Sequence, residues 1–170
     1  MAGRTSASSL AVSTEVVLPN DTNALGNLMG GRLLHWMDIN TAIAAHRHCR
    51  TIVVTAAVNN VSFGSPIKLS SIVTLESKVS RAFTTSMEVF LDVYVEDYVN
   101  GGKIKHNEAI FTFVALDLSG KPVKIPEIIP ETELEKKRFE GALRRRQLSQ
   151  ILCGKMKPGD ATELKALFDR

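Results

Sequence analysis

The feature that most constrains the fold is the segment at 31–49, "GRLLHWMDINTAIAAHRHC", in which apolar residues occupy nearly the whole circumference of a helix. Such a helix has no broad polar face to leave in solvent, so other elements must cover it on most sides. Among its apolar residues the segment keeps one carboxylate, Asp38. The fold must therefore surround this helix, and the charge on it needs an explanation.

The sequence on either side of this segment predicts the strands of one antiparallel sheet. Apolar and polar residues alternate at 71–79 and 86–96 with the two-residue period of half-exposed antiparallel strands. Two more strands are predicted at 51–63 and 107–118, and a first strand at about 8–18.

The sheet has one apolar face to bury, and the helix has apolar residues that need covering. If the sheet wraps around the helix, the apolar surfaces of both elements are buried. The predicted class is therefore α+β, with an antiparallel sheet around a central helix. Residues 1–10 are expected to be disordered, 11–128 to form the domain, and 129–170 to form a helical tail. An open sheet edge favours oligomerisation.

Composition excludes several classes of protein. Hydrophobic residues make up 44% and charged residues 23%, and no apolar run is long enough to span a bilayer. Two cysteines, Cys49 and Cys153, fit a reducing cytoplasm better than a disulfide scaffold. His46 and His48 lie on different sides of a helix, which argues against a shared metal. We expect a cytoplasmic protein with no metal site and no membrane partner.

The basic excess is confined to the tail, where Arg144, Arg145 and Arg146 are consecutive. Such a run is most often a solvated helix face, although it also suits a contact with ligand phosphates or with another subunit. No aromatic interleaving accompanies it, so nucleic acid is not the expected partner.

Asp38 has two interpretations: a buried carboxylate paired with neighbouring donors, or a general base or nucleophile in a partly desolvated cleft. The preceding loop favours the second. Gly30 and Gly31 leave the first N–H groups of the helix accessible as an oxyanion site, although they also permit close packing. Asn23 can orient a water or bond a carbonyl, or simply form an Asx-turn.

A distance separates these groups. Gly31 and Asp38 stand roughly 10 Å apart along one helix at ~1.5 Å per residue, too far for one carbonyl to contact both. If they share a site, Asn23 and the helix start come from one subunit and Asp38 from another, across a two-fold axis. A homodimer is therefore predicted.

Several blocks resemble one known family. The pattern P-x-D-x-N-x-x-G-x-x-x-G-G at 19–31, followed by L-L-x-W-M-D at 33–38, resembles the acyl-CoA hydrolases of the hotdog fold. The blocks at 53–67, 86–89 and 111–126 resemble the same family.

The resemblance implies a hotdog fold, with dimers commonly assembled as a trimer of dimers, that is, a homohexamer. It implies hydrolysis of acyl-CoA to free acid and CoA without a metal or redox cofactor. The family's catalytic asparagine falls on Asn23 and its aspartate on Asp38, from opposite halves of the dimer. Beside these two carried-over residues, we expect the substrate to contact Gly30 and Gly31 as oxyanion donors, Thr55, Asn59, Phe63, Ser86 and Met87 as lining, and Arg144 to Arg146 through the CoA phosphates.

The lining residues are equally compatible with plain sheet packing. Asn59 departs from the family, which usually has an aspartate there, and this bears on acyl preference and pH dependence. Two other functions stay open: a hotdog module that binds acyl-CoA without hydrolysing it, and a dehydratase that would use His35.

Overall fold

Helix α1 (Gly30–Cys49) is enclosed on one side by a five-stranded antiparallel sheet and contacts all five strands. The structure is a computed structural model that describes residues 2–59 and 61–168. The strands of the sheet are β2 (Ala11–Val16), β3 (Ile52–Asn59), β4 (Ile72–Ala82), β5 (Ser86–Glu96) and β6 (Lys103–Leu116), in the order β2-β4-β5-β6-β3. Two short parallel strands, β1 (Arg4–Thr5) and β7 (Ile128–Ile129), pair separately. The predicted α+β class and wrapped arrangement are confirmed.

The inner face of the sheet and one side of α1 form the core. Met37, Leu75, Leu91 and Phe113 are all fully or almost fully buried there. Buried Asn40 fixes the helix against the sheet: its Nδ2 donates to Ser13 Oγ at 2.9 Å, and its Oδ1 accepts from Ser77 Oγ at 2.6 Å. Because these bonds form in one register only, they specify how α1 sits across β2 and β4.

Within one protomer, the sheet and loops do not cover one apolar stripe of α1. Ile39 and Ile43 are 48% and 41% exposed. Strand β3, at the adjoining edge of the sheet, likewise exposes Ile52, Val54 and Val58 by 43–45%. A single protomer thus leaves an apolar surface on α1 and β3, which we call the α1–β3 face.

Residues 4–9, within the ten expected to be disordered, form β1 and a 3-10 helix at Ala7–Ser9. Two serine side chains hold this segment against β4: Ser6 Oγ donates to the Val79 carbonyl at 2.7 Å, and the Val79 N–H donates to Ser9 Oγ at 2.9 Å. The pairing of β4 with β2 ends at Ala11 and Ser77, so these two serines satisfy backbone groups of Val79 that β2 does not reach.

The chain divides into two compact units between Ile129 and Pro130. The boundary predicted from the sequence lies one residue earlier, between residues 128 and 129. The second unit contains α2 (Glu133–Leu152) and the short α3 (Thr162–Lys165). A capping box starts α2, in which Thr132 Oγ1 accepts from the Glu135 N–H at 3.2 Å and Glu135 Oε2 accepts from the Thr132 N–H at 3.2 Å. None of the helices in the described part of the chain is long and apolar enough to cross a membrane.

Candidate active site

The loop before α1 holds the Asn23 side chain in a defined orientation. Its Oδ1 accepts from the N–H groups of Leu25 at 2.9 Å and Asn27 at 3.2 Å, which is the Asx-turn that the residue type suggests. The turn closes through Gly26, whose φ of +71° is in the left-handed region that favours glycine. Since Oδ1 is occupied, the Nδ2 group, with its two N–H donors, is the part of the amide left for a ligand.

The start of α1 supplies further donors close to this loop. The N-cap residue, Met29, makes no side-chain capping bond, and its carbonyl accepts from the N–H groups of Arg32 and Leu33, both at 3.0 Å. The N–H groups of Gly30 and Gly31 therefore have no acceptor within the helix, as expected for the first positions of any helix. Together with the helix dipole, they form a site suited to an oxyanion.

A cavity of about 280 Å³ opens between this loop, the start of α1 and β6, and its lining includes Asn23, Gly30 and Phe63. The Phe63 ring lies over Gly30, so that a Cβ built on the glycine would be 3.5 Å from the ring. Three sequence-predicted residues thus meet at one cavity. Gly31 is exposed beside it, with open space where a side chain would be.

Sequence reasoning missed two other residues of this cavity, His106 and Asn107. They lie where β6 contains an extra residue opposite Val93 and Tyr94. Asn107 Nδ2 donates to the Ser62 carbonyl, which orients the amide so that its Oδ1 accepts from His106 Nδ1. The only available signal is the loss of strict alternation at 103–108, which marks a bulge but does not indicate where the side chains point.

Asp38 lies further along α1 and belongs to a separate cluster. It is half-buried, and Thr55 Oγ1 of β3 donates to its Oδ1 at 2.7 Å. Thr55 precedes a register shift between β3 and β6, which lies between Thr55 and Ala57. Neither Asp38 nor Thr55 lines the cavity of its own protomer. The structure therefore presents two separate clusters of candidate residues: Asn23 with the helix start, and Asp38 with Thr55 on the α1–β3 face.

The remaining predicted residues are dispersed. Met87 is fully buried in the core of the first unit, with no exposed surface for a substrate, while Ser86 and Asn59 are half-buried at the ends of β5 and β3. Arg144, Arg145 and Arg146 lie on α2 in the second unit, where burial lowers the pKa of Arg146. Among the described residues, no group of three or more His, Cys, Asp or Glu side chains could hold a metal ion.

The fold and the loop before α1 define the hotdog thioesterase class, and comparison with known proteins agrees. The sequence model of the Thioesterase superfamily matches residues 25–100. The chain is 44% identical to YkhA of Bacillus subtilis, described as an uncharacterized acyl-CoA thioester hydrolase, over 75% of this chain and 74% of the relative. It spans only 33% of the length of another relative, the rat cytosolic acyl coenzyme A thioester hydrolase.

Solved structures give the same result. A hexameric acyl-CoA thioesterase in its apo form matches with a TM-score of 0.86 and 34% identity, over 90% of this chain and 98% of that one. The acyl-CoA hydrolase of Staphylococcus aureus, in complex with butyryl-CoA, CoA and CoA disulfide, matches with a TM-score of 0.83 and 34% identity, over 89% and 94%. The chain belongs to the hotdog acyl-CoA hydrolase family, and it is a thioester hydrolase.

Proposed function

We propose that this protein hydrolyses acyl-CoA thioesters to the free carboxylic acid and CoA, in a site shared between two subunits. The observation that carries the proposal is the separation of the two clusters. One holds hydrogen-bond donors on the Asn23 amide and the start of α1, and the other holds a carboxylate oriented by Thr55. Thioester hydrolysis needs both kinds of group at one carbonyl.

The donors bind the thioester carbonyl oxygen. The Gly30 and Gly31 N–H groups and Asn23 Nδ2 all donate, and their bonds strengthen as negative charge develops on that oxygen. Because its Oδ1 already accepts two backbone bonds, Asn23 acts as a donor to the carbonyl or to the attacking water.

Asp38 of the other subunit performs the nucleophilic step by one of two routes. As a general base, it takes a proton from a water whose oxygen attacks the carbonyl carbon; the C–S bond then breaks, and the thiolate of CoA recovers the proton. As a nucleophile, its carboxylate oxygen attacks the carbonyl carbon and the C–S bond breaks, so that CoA leaves as a thiolate and an acyl-enzyme anhydride remains. Water then hydrolyses the anhydride to the free acid and the Asp38 carboxylate and supplies the proton that the thiolate takes up. In both routes the thioester and one water give the acid and the thiol, and no cofactor takes part.

Solved variants of the Staphylococcus aureus enzyme support the choice of Asn23, Asp38 and Thr55 as site residues. They carry alanine in place of an asparagine, an aspartate and a threonine, which are separated by 15 and then 17 residues. Asn23, Asp38 and Thr55 have the same residue types at the same separations.

The α1–β3 face is the proposed dimer interface. It combines an exposed apolar stripe on the helix with an edge strand whose outer backbone groups are unpaired in the sheet, and Asp38 lies on the same face. Pairing two copies there, with their α1 helices antiparallel, brings each Asp38 towards the helix start of the other protomer. Since related acyl-CoA thioesterases of known structure are hexamers, we propose a trimer of such dimers.

The finer assignments stay predictions. They are contacts of Asn59, Phe63 and Ser86 with the substrate, of Arg144, Arg145 and Arg146 with the CoA phosphates, and a cytoplasmic location. Met87 acts only through packing, because it is fully buried.

The test is release of free thiol from short, medium and long acyl-CoAs by the native protein, Asp38→Asn and Asn23→Ala. We expect turnover by the native protein and a loss of at least about a hundredfold in Asp38→Asn, the scale of a missing general base. Asp97→Asn is the matched control, because Asp97 caps a turn after β5 through the Val99 and Asn100 N–H groups. Binding of acyl-CoA by the native protein without thiol release would instead indicate a binding module.

A further inference from the structure

We propose that Asp21 is a positioning residue for the reaction, which sets the Asn23 amide relative to the oxyanion donors of α1. The inference rests on the proposed function, since it takes Asn23 to contact the substrate. Asp21 itself is only 6% exposed, and it does not line the cavity. It therefore acts through Asn23 and not on the substrate.

Three contacts of Asp21 join the two ends of the loop to the helix. Oδ2 accepts from the Leu18 N–H at 3.0 Å, and Oδ1 pairs with Arg32 Nε at 2.9 Å in the first turn of α1. The Asp21 carbonyl accepts from the Met29 N–H at 2.9 Å, directly before the helix. One residue thus ties the entry of the loop, its exit and the first helical turn.

Asn23 lies within this closed loop, two residues after Asp21. The bonds within the turn, from the Asn23 N–H to the Asn27 carbonyl at 2.9 Å and from the Gly26 N–H to the Asn23 carbonyl at 2.9 Å, hold the amide relative to the turn. Other backbone bonds tie the turn to residues 67–69, through Leu28 and Gly26. The side-chain pair of Asp21 and Arg32 joins it to α1, which carries the Gly30 and Gly31 donors.

The ion pair with Arg32 explains why residue 21 carries a charge. A neutral Asn, Ser or Thr would accept the Leu18 N–H equally well, as these residues do in caps and turns. Burying a carboxylate costs free energy unless an opposite charge compensates it, and here that charge is Arg32. Asp21→Asn therefore keeps the turn cap and removes the ion pair, which separates the two roles.

The test measures kcat and KM for thiol release by Asp21→Asn, Arg32→Gln and Arg32→Lys, together with thermal unfolding of each. Misplacing one donor of an oxyanion site by about 1 Å lowers kcat on the order of 10- to 100-fold, with KM changed less than about threefold. We expect this split for Asp21→Asn and Arg32→Gln, and partial recovery in Arg32→Lys, which restores the charge.

A double variant identifies the residue through which Asp21 acts. If Asp21 works by placing Asn23, then Asp21→Asn combined with Asn23→Ala is no slower than Asn23→Ala alone. Multiplied losses in the double variant overturn the inference. So does a Tm decrease in Asp21→Asn with native kcat per folded molecule, since that is the behaviour of a purely structural cap.

Failure of the proposed function is recognised separately. If Asn23→Ala keeps native turnover, the catalytic role of Asn23 fails and the positioning role fails with it. If Asn23→Ala and Asp38→Asn both lose activity while Asp21→Asn keeps it, the hydrolase mechanism stands and only the inference about Asp21 is overturned. Asp117→Asn serves as a control, because Asp117 caps a turn after β6 by accepting from the Ser119 and Lys121 N–H groups.

Discussion

Replacing Thr55 by valine removes the one described side-chain bond to the Asp38 carboxylate, a 2.7 Å bond from Thr55 Oγ1, with almost no change in side-chain volume. A hydrogen bond to a charged group contributes about 1.5–3 kcal/mol. Thr55 is exposed in the protomer, so we take the lower end of that range. A loss of about 1.5 kcal/mol in the transition state corresponds to roughly a tenfold decrease in kcat, because each 1.36 kcal/mol is a factor of ten.

The assay for this prediction is steady-state thiol release, normalised to folded protein, from Thr55→Val and Thr55→Ser. The serine variant keeps the hydroxyl and is expected within about threefold of native, whereas the valine variant is expected to lose about tenfold. Thr14→Val is the control. Thr14 is an exposed threonine on β2, the edge strand at the other end of the sheet from β3, and its hydroxyl bonds Thr74. Equal activity of Thr55→Val and Thr14→Val would refute the orienting role of Thr55.

Three further predictions concern stability and assembly. Burial lowers the pKa of His48 below its ordinary 6.5, so protonation favours the unfolded state. The stability that is present above pH 6.5 is therefore lost as the pH falls below that value. Between pH 7.5 and 5, the Tm of the native protein should fall more steeply than the Tm of His48→Gln. Asn40→Ala leaves the buried Ser77 hydroxyl without its carboxamide partner and should cost about 2–4 kcal/mol in urea unfolding, where a cost below about 0.5 kcal/mol would contradict the reasoning. Ile43→Glu places a charge on the α1–β3 face and should shift sedimentation towards the monomer and abolish turnover; an unchanged assembly would place the interface elsewhere.

The central helix was predictable because its long segment is apolar around nearly the whole circumference, and the sheet because its strands alternate with a two-residue period. The exposed stripe of α1 was not, since a sequence shows that Ile39 and Ile43 are apolar but not whether their own sheet or a second protomer covers them. The ordered N-terminus was also missed. Its serines satisfy the Val79 backbone of β4, more than 60 residues away and beyond the end of β2, and only the fold reveals that contact.

The site was predictable in part for a similar reason. The distance between Gly31 and Asp38 follows from helix geometry alone, so the separation of these two groups along α1 could be inferred before the structure. An Asx-turn at Asn23 was one of the alternatives that the residue type suggested, but the sequence did not show that Oδ1 accepts from both Leu25 and Asn27 and leaves Nδ2 for a ligand. Likewise, His106 and Asn107 reach the cavity through a bulge whose position depends on strand pairing.

The most direct test of a site shared between subunits is complementation between two inactive variants. Asn23→Ala and Asp38→Asn are mixed in equal amounts, allowed to exchange subunits, and assayed for thiol release. In a random mixture half of the dimers are mixed, and each of these has one site with both residues intact, so about a quarter of the native activity should return. If the mixture stays as inactive as its components after exchange is verified by mass spectrometry, Asn23 and Asp38 do not act from opposite subunits.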